Sequence, residues 1–140
     1  MTIPRILGLR HLALRVTDIK RAQTFYEGLF GMRVVWQPDD QTVYLSSGLD
    51  NLALHQIPDE QLSDYRERRA QFLDHFGVVM ATPEAVDALF QALEPRLERY
   101  GGRVVRRPKQ HRDGSYSFYL DDPDGNTLQV LFEPNISQKC

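Results

Sequence analysis

Twice along this chain, strict alternation of apolar and polar residues gives way to helical spacing and then returns to alternation. Within residues 6–16, Leu12, Leu14 and Val16 share one face while His11, Ala13 and Arg15 share the other. That period of two predicts a strand with one buried face. Thr17-Asp18 is a helix cap, and Ile19, Ala22, Phe25, Tyr26, Leu29 and Phe30 follow at helical spacing up to Gly31, a residue suited to ending a helix. Three more strands are predicted over residues 32–36, 42–46 and 52–57, with turns at Pro38-Asp39-Asp40 and Gly48-Leu49-Asp50-Asn51. Residues 58–73 are mostly charged and polar, with Leu62, Tyr65 and Phe72 as their main apolar positions, and read as a linker holding a short helix.

The same order then recurs. Residues 74–80 alternate, with His75, Gly77 and Val79 opposite Phe76, Val78 and Met80. Thr82-Pro83-Glu84 opens a helix with a cap, a proline at the first position and an acid in the first turn. Val86, Leu89, Phe90, Leu93 and Leu97 form its apolar stripe, and Pro95 is expected to kink or restart it. Gly101-Gly102 ends it, a strand begins at Arg103, and residues 117–120 and 127–132 make two more strands around the turn Asp122-Pro123-Asp124-Gly125-Asn126.

The halves match residue by residue as well as in order. Gly31-Met32-Arg33-Val34-Val35 answers Gly101-Gly102-Arg103-Val104-Val105, and Tyr44-Leu45 answers Tyr119-Leu120. His11 and His75 fall at the same point of the two first strands. The expected fold is α+β: a β-α-β-β-β module at residues 6–57, a linker at 58–73 and a second module at 74–134. Each sheet packs a helix on one face and curls the other around a shared cleft, as one curved mixed-sheet domain. Ala13, Arg15, Ala53, His55, Gly77 and Leu131 then face the cleft, together with His11, His75, Tyr119 and Gln129.

Composition narrows the function. The chain has 140 residues, 41% of them hydrophobic and 26% charged, the balance of a globular domain. A net charge of −2 gives no nucleic-acid footprint. No apolar run reaches the ~18 residues of a membrane span, and Arg5, Arg10 and Arg15 interrupt any secretory pattern at the start. The lone Cys140 has no internal disulfide partner and reads as a terminal thiol, so a cytoplasmic setting is expected.

The repeated halves, and above all Asp122-Pro123-Asp124-Gly125-Asn126 after an aromatic strand, resemble the vicinal oxygen chelate superfamily. That family includes glyoxalase I, extradiol dioxygenases, fosfomycin-resistance transferases and bleomycin-binding proteins. The resemblance spans roughly residues 6–133. It implies a divalent metal held by first- and fourth-strand residues, with His11, His75 and Gln129 at matching positions. Iron, manganese, nickel and zinc are equally compatible. Gln129 stands where the family usually has Glu, and Ala53 occupies the other fourth-strand position, so the family's carboxylate base is missing. His55 enters the set only if its strand shifts register, and Glu133 shares the face of Gln129 at a solvated strand end.

Residues 109–116 read as a loop ahead of the strand at 117–120; ring-cleaving members place a histidine from such a loop and a tyrosine from such a strand beside a metal-bound oxygen, and His111 and Tyr119 match these in kind. Fosfomycin-type members hold an anion with Lys, Ser and Tyr, which Lys109, Ser117 and Tyr119 match; Arg112 adds a bidentate anion donor. Two classes of function therefore stand. One is a metal-dependent lyase, isomerase or ring-cleaving enzyme acting on a small oxygenated or anionic metabolite. The other is a metal-free binding protein of the bleomycin-resistance type. Family members commonly pair as homodimers.

Overall fold

The computed structural model describes residues 3–67 and 72–134, so Cys140 and part of the expected linker lie outside the described residues. Strand β1 (His11–Val16) leads into helix α1 (Ile19–Phe30), followed by β2 (Arg33–Trp36), β3 (Thr42–Ser46) and β4 (Asn51–Gln56). A 3₁₀ turn (Asp59–Gln61) and the short helix α2 (Leu62–Glu67) come next. The second module holds β5 (Phe76–Val79), α3 (Pro83–Leu97), β6 (Arg103–Gln110), β7 (Tyr116–Asp121) and β8 (Thr127–Phe132).

The strands make two four-stranded mixed sheets, ordered β1-β4-β3-β2 and β5-β8-β7-β6. In each, the first strand runs parallel to the fourth and the rest are antiparallel. The outer edges of β1 and β5 are therefore unpaired among the described residues.

Local chemistry explains the helices. The Asp18 side chain accepts from the Arg21 amide, and Gly31 closes α1 at φ 63°, a left-handed conformation that glycine adopts without strain. The Thr82 side chain accepts from the Ala85 amide at the start of α3. Pro95 neither breaks nor restarts that helix, which runs on to Leu97 and then tightens into a 3₁₀ turn at Glu98–Tyr100. Placed in the last helical turn, Pro95 removes one backbone bond where the ladder is already ending.

The apolar stripes of both helices pack on the sheets in one continuous core, which includes Phe25, Tyr26 and Leu54 from the first module and Phe90, Phe118 and Leu128 from the second. Burying each such side chain contributes about 1.5–3 kcal/mol. The modules are also latched through polar groups. The Asp124 carboxylate accepts from the backbone amide and hydroxyl of Thr17, just before α1, and lies 3.7 Å from the Arg21 guanidinium. Asp122, buried beneath the turn, accepts from the Tyr26 hydroxyl at 2.7 Å and from both nitrogens of Asn126. Burial pushes the Asp122 carboxyl up despite these bonds. It also drives the Tyr26 phenol well above its ordinary value, with the Asp122 charge adding to the shift.

Several boundaries differ from those expected. The alternation at residues 6–10 is not strand, because β4 begins at Asn51 and β1 begins opposite it, at His11. Lys109 and Gln110 belong to β6, leaving a short turn before β7 where a longer loop was expected.

Candidate functional site

Register shows how the two modules correspond. On the face of the first sheet opposite α1, Ala13, Ala53, Tyr44 and Trp36 form a cross-strand row. In the second sheet the row is Gly77, Gln129, Tyr119 and Arg106. Ala53 and Gln129 thus occupy equivalent places, as the alternation predicts. His11 and His75 each lie two residues before the row begins, and each ring packs against its module's tyrosine. His11 is 5.6 Å from Tyr44 and His75 is 5.3 Å from Tyr119, centroid to centroid.

The histidines share a second feature. His11 Nδ1 lies 2.5 Å from Asn51 Oδ1, its register partner on β4, and His75 Nδ1 lies 2.5 Å from Asp74 Oδ1. An amide or carboxylate oxygen only accepts, so each Nδ1 carries the proton. In an uncharged imidazole, that arrangement leaves the Nε2 lone pair available. Nδ1 held by an oxygen and Nε2 open is the arrangement of a metal-ligating histidine. Neither Asn51, expected only as a turn residue, nor Asp74, at the start of an alternating stretch, was among the expected site residues. Asn51 emerges only from strand register, whereas Asp74 was visible as the neighbour of His75.

Gln129 donates from Nε2 to Ser117 Oγ at 3.0 Å, and Ser117 Oγ lies 2.7 Å from His111 Nε2. Among the described residues Gln129 Oε1 has no hydrogen-bond partner, and no buried side-chain oxygen or nitrogen lacks one, so Oε1 is reached by solvent. The turn that carries His111 is tightly held. His111 and Ser115 pair through the backbone, and Asp113 accepts from the amide and hydroxyl of Ser115, bonds that lower the Asp113 carboxyl pKa. The His111 ring stands edge-on to Tyr119 at 6.3 Å, and the Arg106 guanidinium lies over the Tyr119 ring, 5.6 Å from its centroid.

A cavity of about 730 Å³ runs along the free edges of β1 and β5. His11, His75 and Gln129 all line it, with Arg10, Asp50 and Glu133 as its charged residues. Its other walls are mostly apolar, including Leu12, Met32 and Phe76. Glu133 is half-buried there instead of fully solvated at a strand end. Burial raises the Asp50 carboxyl, but hydrogen bonds from Ser47 and Ser46 outweigh it and leave its pKa lowered.

The remaining candidates lie outside that lining. His55 stays in register opposite Arg15, 3.4 Å from the Thr42 hydroxyl, so no shift brings it to the cavity. Lys109 pairs in register with Ser117 but is exposed, and Arg112 is exposed in the turn. Tyr119, His111 and Ser117 flank the cavity through Gln129 and His75 rather than lining it. Arg106, not among the expected site residues, touches this cluster through its cation–π contact with Tyr119.

The donors suit a divalent ion by type: two imidazole nitrogens and one neutral amide oxygen. No group of three or more His, Cys, Asp or Glu side chains capable of holding a metal occurs among the described residues. No described helix is long and apolar enough to cross a membrane.

Comparison with known proteins gives a consistent picture. A family model described as "Glyoxalase/Bleomycin resistance protein/Dioxygenase superfamily" matches residues 8–130. The chain is 30% identical to a glutathione transferase FosA from Serratia marcescens over 130 residues, covering 88% of this chain and 79% of that protein. It is 28% identical to a lactoylglutathione lyase from Neisseria meningitidis serogroup A over 134 residues, covering 89% and 90% of the two chains. Among solved structures, a lactoylglutathione lyase from Agrobacterium tumefaciens superposes with a TM-score of 0.67 at 26% identity, covering 92% of this chain and 96% of that one.

Proposed function

This chain belongs to the glyoxalase/bleomycin resistance protein/dioxygenase superfamily, and on that premise we propose that it is a divalent-metal-dependent enzyme of transferase or lyase type. Its substrate is a small oxygenated or anionic electrophile. The observation that carries this reading is the matched pair of histidines. His11 and His75 sit at equivalent points of a repeat, each holds Nδ1 against a side-chain oxygen, and both line one cavity with Gln129.

In this reading the Nε2 atoms of His11 and His75 and Oε1 of Gln129 hold the ion. When bound, the ion supplies Lewis-acid polarisation of a substrate oxygen. A neutral ligand set leaves the ion's full charge to act on an anion, at the cost of looser binding than a carboxylate gives. His111 and Tyr119 serve as donors to the reacting oxygen. Ser117 holds Gln129, and Lys109 and Arg112, with Arg106, draw an anionic substrate toward the cluster. The two relatives named above carry glutathione in their names, which favours a low-molecular-weight thiol or its adduct as one reactant.

A homodimer fits the unpaired edges of β1 and β5 and the exposed apolar residues Ile6, Leu7 and Leu9 beside β1. Light scattering on a sizing column checks that point.

The deciding experiment is metal analysis of protein purified without chelator, repeated on His11→Ala and His75→Ala. Near-stoichiometric metal in the wild type, lost in both variants, supports the enzyme. No metal after reconstitution with iron, manganese, nickel or zinc refutes it. That result favours the second reading, a metal-free binding protein, which Ala53 and the uncharged Gln129 support.

A further inference from the structure

The hydroxyl of Ser117 stands between two nitrogens, Gln129 Nε2 at 3.0 Å and His111 Nε2 at 2.7 Å, and the residue is only 1% exposed. A hydroxyl has one proton to give. An amide nitrogen only donates, so Ser117 Oγ accepts from Gln129. The Ser117 proton then has one acceptor among the described residues, His111 Nε2. If His111 Nε2 also donated to Oγ, that buried proton would have no partner, an arrangement folded proteins avoid.

We propose that Gln129, Ser117 and His111 form a hydrogen-bond relay of fixed direction that turns the Gln129 carbonyl oxygen into the cavity and holds His111 as its Nδ1–H tautomer. Ser117 and His111 are positioning residues in this scheme. A reversed relay would run from His111 Nε2–H to Ser117 and from Ser117 to an amide oxygen turned inward. Gln129 would then show its NH₂ group to the cavity, and the site would lose an acceptor.

The direction depends on residue 129 being an amide. A carboxylate there only accepts, so Ser117 would have to donate to it and His111 to Ser117. The Gln in place of a carboxylate, which looks like a weakened ligand, is thereby what allows the His111 proton to sit on Nδ1, a position that a carboxylate at 129 forbids. In the Nδ1–H form, His111 keeps one ring donor that has no hydrogen-bond partner among the described residues, available to a substrate oxygen beside Tyr119. The use of Oε1 as a ligand atom rests on the proposed function, whereas the relay's direction does not.

Long-range proton–nitrogen NMR of labelled full-length protein, at a pH where His111 is neutral, reads the tautomer directly. The expected result is Nδ1–H in the wild type and Nε2–H in Gln129→Glu. An Nε2–H wild type, or no change of tautomer in Gln129→Glu, overturns the relay. Manganese(II) titration is the second arm. Ser117→Ala, checked for native folding by circular dichroism, should weaken binding about tenfold, as loss of a group that orients a metal ligand does. Unchanged manganese affinity in that variant overturns the positioning role of Ser117. A wild type that binds no manganese or other divalent ion counts against the metal-dependent reading, while the tautomer result still decides the relay.

Discussion

Replacing Asp122 with alanine tests the joint between the two modules. Four donors lose their acceptor: the hydroxyl of Tyr26, the backbone and side-chain nitrogens of Asn126, and the amide of Asp124. Tyr26 is almost wholly buried and Asn126 nearly so, which keeps compensating water from both. A buried donor left unsatisfied costs about 1–3 kcal/mol. Removing a carboxylate that burial already disfavours returns part of that, because the raised pKa marks an unfavourable charge. A net loss of about 3 kcal/mol follows for these donors taken together. With an unfolding entropy of ~2.1 cal/mol/K per residue, a chain of this length loses about 10 °C in Tm. Thermal and urea unfolding of the two proteins under identical conditions measure it, with Tyr26→Phe expected to lose about 1 kcal/mol as the single-bond reference. A drop in Asp122→Ala of under ~1 kcal/mol would show that the network does not hold the joint, and would refute the reasoning. The pH dependence has a defined sign. A carboxyl raised in the folded state binds more protons there than in the unfolded chain. Its contribution is therefore fully present below the unfolded pKa and is lost as pH rises through the raised native value. Asp122→Asn should remove that slope.

Other substitutions probe separate parts of the structure. Gly102→Ala should cost about 1–3 kcal/mol in urea unfolding, because a Cβ there would sit 2.7 Å from Phe25 Cε2 and 2.8 Å from the Asp121 carbonyl oxygen. Arg106→Met should weaken binding of a small phosphonate, measured by calorimetry, by about tenfold, since a charge-assisted contact contributes about 1.5–3 kcal/mol. Unchanged phosphonate affinity would remove Arg106 from the substrate contacts.

Element types and order were legible because period two and period 3.6 alternate so clearly along each half. Strand starts were less so. Ile6, Leu7 and Leu9 carry a strand-like composition yet stand exposed, since a strand needs a neighbour and β4 offers none before Asn51. Lys109 and Gln110 are polar and read as loop, but β7 pairs with both. In the candidate site, repeat symmetry pointed to His11 and His75, whereas Gln129 came from the family resemblance, since its counterpart in the first half is Ala53. Asn51 was not singled out because a cross-strand partner depends on register, which sequence spacing does not fix. Arg106 was hidden differently. Two irregularities in the pairing of β6 with β7 break the alternation on either side of it, so counting residues does not show which face it takes.

The latch between Asp124 and Thr17 bears on how this repeat unfolds. Each module has the full set of strands and a helix of its own, the makings of a self-sufficient half. Yet the start of α1 is held by a carboxylate from the far end of the chain, and Phe25 presses on backbone at Gly102 that has no side chain to keep it away. Opening the β7–β8 turn therefore exposes the amide and hydroxyl of Thr17 just ahead of α1, and fraying that segment strands the carboxylate. Amide hydrogen exchange at the two places should slow and quicken together, as one cooperative unit. The duplication visible along the chain is no longer a division in its energetics.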